Sequence, residues 1–222
     1  GARFESCEIT DDQMYLKVVN PRLQAEVVPG DIVQAGIMIS NSETGLGAVN
    51  IQPLIYRLVC SNGMVVNEAG TRRAHIGRVN TTDVNFALYS QQTLDAEDRA
   101  FVLKIQDTVR AAVDEARFST VLERMRESKQ AQLNTQDLPG LVKLAGSSFG
   151  ILEEEGRGVL QHLIEAGDFT LYGLANAVTR FSQDVESYDR ATKLEEIGYS
   201  VMTMSPLLLQ KINQTQVTKL AA

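Results

Sequence analysis

Between Gln52 and Thr82 the charged residues are Arg57, Arg72, Arg73 and Arg78 against Glu68 alone, four positive charges to one negative in a chain whose net charge is -7. Guanidinium forks grip phosphate oxygens, glycine lets a backbone approach closely, and an aromatic ring stacks on a base. Gly70 and Gly77 punctuate the segment, His75 adds a ring nitrogen, and Tyr56 supplies the aromatic face. Tyr56, Arg57, Arg72, Arg73, His75 and Arg78 therefore form the candidate nucleic-acid site. The competing reading is self-pairing with the acidic helices. The chain has 28 Asp and Glu residues against 21 Lys and Arg, so acidic partners are plentiful and surface ion pairs are expected.

A second polar set lies further along. Tyr172, Asn176, Thr179 and Arg180 follow one another at steps of four, three and one residues, opposite Leu171, Leu174, Val178 and Phe181. On a helix these make a polar stripe opposite an apolar face, open to a ligand or simply to water.

Other constellations carry less. Gly146-Ser147-Ser148-Phe149-Gly150 has the GxSxG spacing of a nucleophile elbow, and His162 and Asp168 follow it. That motif needs a buried strand before the serine and the acid before the histidine. Here Leu141 to Ala145 reads as helix, and the acids between the motif and His162 form a run, Glu153 to Glu155. Neither His75 nor His162 has a Cys, His or carboxylate partner at a ligand spacing. Asp11-Asp12 and Glu97-Asp98 read as turn and helix-start acids rather than Mg²⁺ ligands. No Walker lysine motif or GxGxxG fingerprint is present. These residues favour a non-enzymatic chain with no cofactor and no metal; an enzyme whose active site is completed by sequence upstream stays open as an alternative.

The elements that must position these residues are bounded by composition. At 222 residues and 44% hydrophobic content the chain can build one large domain or two small ones. The acidic balance argues against bulk electrostatic nucleic-acid binding and leaves room for a local basic patch. Cys7 and Cys60 lie far apart without CxxC spacing, so neither a disulfide framework nor a zinc site is expected and the cytoplasm is the expected compartment. No apolar run reaches the roughly 20 residues of a membrane span, and no membrane attachment is expected. Gly1-Ala2 reads as a cleavage scar and residues 219–222 as a vector-derived tail, with upstream sequence removed.

Residues 1–90 read as an antiparallel β-rich part. Phe4 to Thr10 and Gln13 to Val19 suggest a hairpin around Asp11-Asp12; Pro21 and Pro29-Gly30 bracket a short strand from Leu23 to Val28. Asp31 to Ser40 is apolar on nearly both faces, as in a strand covered on both sides. After turn chemistry at Asn41 to Gly45, Leu46 to Cys60 alternates, with Pro53 predicting a bulge or an edge position. Asn62-Gly63 has the composition of a type I′ turn leading into Met64 to Val66.

Residues 91–218 read as a helical part packing on the sheet, one domain with it. Helical periodicity from Leu94 to Lys129 predicts one very long helix or two joined near Phe118-Ser119, capped by Thr93 or Asp95, with Glu123, Arg124, Arg126 and Glu127 on a solvated face. A short helix ends near Gly146. Gly150 to Gly158 is a glycine-interrupted acidic stretch, Val159 to Ala166 is helical with Gly167 as C-cap, Thr170 opens the next helix, and Ser187 to Ile197 makes another closed by Gly198. The fold class is α+β: an antiparallel sheet built from hairpins, packed against long and short α-helices.

The run Asn41 to Gly45, with Tyr56 to Gly63 and Arg72-Arg73-Ala74-His75-Ile76-Gly77, resembles the domain of unknown function 932 family, the phage/plasmid-like proteins of bacterial mobile elements. Leu171 to Arg180, followed by Leu194-Glu195, resembles that family's C-terminal helical part. The resemblance implies a setting in prophages, plasmids and integrative elements, whose business is replication, recombination and host defence. It implies no reaction, cofactor or catalytic residue. The expected function is therefore non-enzymatic binding of single-stranded nucleic acid, with single-stranded DNA as partner, in recombination or replication of a mobile element. The alternative is a protein-interaction or regulatory module that meets a host or phage protein through its long acidic helices, without nucleic-acid contact. Homo-oligomerisation is left open.

Overall fold

The computed structural model describes residues 1–42, 48–66, 71–74 and 89–214. The turn expected at Glu43-Thr44-Gly45, the residues Gly70, His75, Gly77 and Arg78, and the tail 219–222 lie outside them. Six strands among the described residues form one antiparallel sheet. β1 (Arg3–Ile9), β2 (Met14–Glu26), β3 (Ile32–Asn41), β4 (Ala48–Arg57) and β5 (Asn62–Val65) lie in that order, and β6 (Thr71–Ala74) pairs with β4 further along the edge that β5 occupies. Seven helices follow: α1 (Gln91–Ala112), α2 (Glu115–Gln130), α3 (Leu138–Phe149), α4 (Glu153–Ala166), α5 (Leu171–Phe181), α6 (Tyr188–Met202) and α7 (Pro206–Asn213). The fold is α+β, as expected.

Register decides what each face buries. Ala35, Ile55 and Met64 stand opposite one another across three strands and join the main core with Phe118, Leu122 and Met125 of α2 and Leu174 of α5. One residue along, Gly36, Leu54 and Val65 are paired and, because side chains alternate, present the opposite face. There Leu54 and Val65 cluster with Tyr15 and Met38, and Tyr188 of α6 packs over them. Lys17 ties the same helix down, its Nζ 2.5 Å from Glu195 Oε1. Burial raises the Glu195 carboxyl above its ordinary value, and the Lys17 charge only partly offsets it. β3 is thus covered on both sides, which explains why Val33, Gln34 and Ala35 are all buried. The sheet curls about the second face, because Tyr56 Oη on β4 donates to Glu5 Oε1 on β1 at 2.6 Å, and three strand spacings in a flat sheet would be about 14 Å.

The prolines sit where ladders end. β2 runs through Pro21 instead of splitting there. Its pairing with β1 stops at Val19, and its pairing with β3 slips between Asn20 and Gln24, so no ladder needs the missing N–H. Pro53 falls between the footprints of β5, which reaches Leu54, and β6, which begins at Ile51. Its carbonyl accepts from Val66 N at 2.8 Å, so that side of Pro53 faces the handover between the two strands, where an absent donor costs no ladder bond.

Local expectations are corrected both by tertiary contacts and by local caps. The β4–β5 turn is Leu58 to Ser61, with Ser61 at φ 51, while Asn62 and Gly63 open β5 opposite Arg57 and Tyr56. The Asn62 amide donates to Thr179 Oγ1 on α5 at 2.5 Å, a tertiary bond that holds Asn62 in the strand. The long helical stretch breaks at Val113-Asp114, not near Phe118, since Asp114 caps α2 by accepting from Arg117 N at 2.9 Å and Phe118 is buried in the core. α1 is capped by Ser90 rather than Thr93 or Asp95. α6 continues through Gly198, which is no cap: a Cβ there would overlap Thr179 Cγ2 and come 3.2 Å from Ala175 O, so glycine permits α5 and α6 to pack closely. Gly167 does cap α4, at φ 63, whereas α3 runs past Gly146 to a cap at Gly150, φ 80, and α4 starts at Glu153 rather than Val159. No described helix is long and apolar enough to cross a membrane.

Candidate functional site

The structure divides the sequence-predicted residues between two ends of β4. At one end, Arg57 grips Asp31 with Nε to Oδ1 at 2.6 Å and Nη2 to Oδ2 at 2.9 Å. Tyr172 Oη donates to the same Oδ2 at 3.0 Å. Burial works against the Arg57 charge, but the hydrogen bonds to Asp31, with the fields of Tyr172 and Asp31, more than offset it and hold the guanidinium above its ordinary value. Burial, with the adjacent Asp31 carboxylate, likewise pushes the Tyr172 hydroxyl up. Tyr56 is 6% exposed; burial and its bond to Glu5 push its hydroxyl up to about 12, and its ring is not open to a stacking base.

Of the polar stripe of α5, Arg180 alone is exposed. Tyr172, Asn176 and Thr179 are buried because the β4–β5 turn folds down onto them. Asn62 Nδ2 reaches Thr179 and, at 3.5 Å, Asn176. Arg180 Nη1 donates to Cys60 O at 3.1 Å, and Gln183 Nε2 donates to Ser61 O at 2.7 Å. Arg57 and the α5 stripe therefore do come together, as the seat of a hairpin, while Tyr56 turns to the other face and bonds Glu5. The GxSxG serines lie in the last turns of α3, where both hydroxyls donate to Leu144 O, and His162 faces Asp184 at 2.5 Å. Ser147 borders a cleft of about 360 Å³ between α3 and α4, but its hydroxyl is engaged by Leu144 O, and the Glu153 carboxylate in the same lining pairs with Lys143.

Arg72 and Arg73 lie at the other end, on β6, opposite Asn50 and Val49. Asn50 is seven residues from Arg57, about 23 Å along the strand, so β6 does not share a surface with Arg57 or Arg180. A different feature lies closer to it along β4. A cleft of about 220 Å³ lies where β4 passes from β5 to β6, walled by Pro53 to Ile55 and Val66, by the end of α1, by α2 from Arg117 to Arg124, and by Tyr199 of α6. Asn50 is three residues from Pro53, about 10 Å along the strand.

Local sequence explains the α2 wall. Arg117, Val121 and Arg124 recur at steps of four and three and so share one helix face, the arginines about 10 Å apart along the axis. Phe118 lies beside them, buried in the core. Arg124 Nη1 donates to Tyr199 Oη at 2.8 Å, which orients it along the wall. The exposed Arg117 guanidinium has no carboxylate partner among the described residues. Sequence reasoning missed both arginines by grouping Arg124 with Arg126 as one solvated charge run. Arg126 does face outward, bonded to Glu123 at 2.7 Å; the signal separating the two was the Arg117-Val121-Arg124 spacing. Among the described residues no three His, Cys, Asp or Glu side chains gather where they could hold a metal ion.

Comparison with known proteins gives one match. The family model Domain of unknown function (DUF932) aligns with residues 6–205. No curated protein and no solved structure matches the chain. The aligned stretch runs from β1 to the residue before α7 and takes in the sheet, the cleft and the helices that wall it. The chain belongs to the domain of unknown function 932 family.

Proposed function

We propose that this chain is a non-enzymatic protein of a phage, plasmid or similar mobile element that binds single-stranded nucleic acid, in recombination or replication, at the cleft between β4 and α2. One observation carries the reading: an apolar cleft is walled by the α2 face that bears Arg117 and Arg124, and β6, whose sequence holds Arg72 and Arg73, pairs with β4 about 10 Å further along the strand. Guanidinium groups suit phosphates and an apolar wall suits a base face, the two halves of sequence-tolerant single-strand binding. With a net charge of -7, affinity must come from this local geometry rather than from a general field. The mobile-element setting rests on the sequence resemblance alone.

The test is fluorescence anisotropy of labelled single strands with wild type and Arg72→Ala/Arg73→Ala at low salt. Binding by the wild type that the double variant weakens supports the reading. Equal, negligible binding by both contradicts it.

A second reading has its own observation. β1 is an edge strand whose Phe4 and Ile9 are 74% and 77% exposed, and Val102 and Leu103 of α1 are about half exposed. Apolar side chains on an open edge suit a protein partner. A stoichiometric partner retained from lysate after nuclease treatment favours this module; loss of all partners on nuclease treatment counts against it.

A further inference from the structure

We infer that the cleft receives a single unstacked nucleobase whose own phosphate lies on Arg117, so that the protein holds one base out of the strand and does not track a stack of them. The inference rests on the single-strand reading above and specifies what the cleft takes.

Size is the first argument. At about 220 Å³ the cleft falls below the roughly 300–1,000 Å³ that drug-sized ligands occupy, which leaves room for one planar ring system and not for successive stacked bases. Lining chemistry is the second. Pro53 has no N–H, and its carbonyl is already taken by Val66 N at 2.8 Å, so the sheet wall offers a flat apolar surface at that point. Ile55 and Val121 continue it, with the buried Phe118 beside them. Polar atoms at the wall are engaged within the protein: Thr120 Oγ1 donates to Ala116 O at 3.0 Å, and Tyr199 Oη accepts from Arg124. Such a cleft rewards burial of any base and reads its edge poorly, so little base preference is expected. The third argument is the exposed Arg117 on the same wall, placed to meet a phosphate while the base goes inward.

The experiment compares a labelled thymidine strand of about ten nucleotides with an abasic strand of the same length and the same phosphates, for wild type and Val121→Trp. The intact strand is expected to bind roughly five- to hundredfold more tightly than the abasic one. Val121→Trp fills the cleft and is expected to remove that difference. Val121→Phe, with thermal melts of both variants, guards against a misfolded Trp variant. A 2-aminopurine in the strand is expected to brighten on binding to the wild type, as an unstacked base does. Equal salt-sensitive binding of intact and abasic strands overturns the single-base site and leaves the single-strand reading standing. No binding of either strand overturns both.

Discussion

Arg57 and Asp31 form a two-pronged ion pair, at 2.6 and 2.9 Å, that joins the end of β4 to the residue before β3, and Tyr172 of α5 completes it with a hydroxyl bond to the same carboxylate. The pair lies mostly out of solvent. Removing one partner of such a pair leaves the other charge buried and costs about 3 kcal/mol or more. Arg57→Ala is therefore expected to lower the denaturation midpoint with little change in slope, and Arg57→Lys to recover only part, since an ammonium cannot reproduce the fork. Urea unfolding of the three proteins checks this. An unchanged midpoint in Arg57→Ala would show that the pair contributes nothing to stability.

Acid stability should depend on Glu155. Arg190 on α6 donates to it through Nε and Nη2 at 2.7 and 2.6 Å, and Leu152 N donates at 2.8 Å. The Arg190 hydrogen bonds hold the carboxyl below the ordinary carboxylate range against the opposing effect of burial. A carboxyl depressed in the folded state contributes stability that is fully present above its unfolded value, about 4.3, and that is lost as pH falls through the lower folded value. Glu155→Gln lacks this contribution. Its melting temperature is expected to lie below that of the wild type near neutrality, with the gap closing as pH falls below about 4. A gap that stays constant down to acid pH contradicts the assignment.

Close packing of α5 on α6 passes through Gly198. An alanine there favours the helix by about 1 kcal/mol, yet its Cβ would overlap Thr179 Cγ2. Overpacking in a tight core costs about 1–3 kcal/mol, so Gly198→Ala is expected to destabilise on balance. Thr179→Ser removes the methyl and keeps the hydroxyl that Asn62 uses, so the double variant should recover part of the loss. Thermal melts of the single and double variants decide it; additive losses would place the strain elsewhere.

These relationships mark how far the sequence could be read. Strands and helices were legible because proline, glycine and periodicity act locally: Gly167 ends α4 through its own backbone conformation. Asn62-Gly63 was misread because a bond to Thr179, more than a hundred residues away in sequence, overrides the turn preference of the pair. The α5 stripe looked solvated because its cover is the β4–β5 turn, which no helical pattern encodes. The cleft was invisible for the same reason. Its two walls, β4 at Pro53 and α2 at Arg117, meet only in three dimensions. The basic segment was recognised by charge alone, and charge alone could not show that Arg57 is spent on Asp31.

The central claim is that single-stranded nucleic acid lies at the cleft beside Arg117. Its most direct test is the salt dependence of single-strand affinity, measured for wild type, Arg117→Ala and Arg57→Ala. Each phosphate contact on a single strand contributes about 0.7 to the slope of log K against log salt. The wild type is expected to bind with a negative slope, Arg117→Ala to bind more weakly with a slope shallower by about 0.7, and folded Arg57→Ala to keep the wild-type slope because its guanidinium serves Asp31. No binding by the wild type at low salt, or a slope that changes with Arg57 and not with Arg117, would contradict the claim.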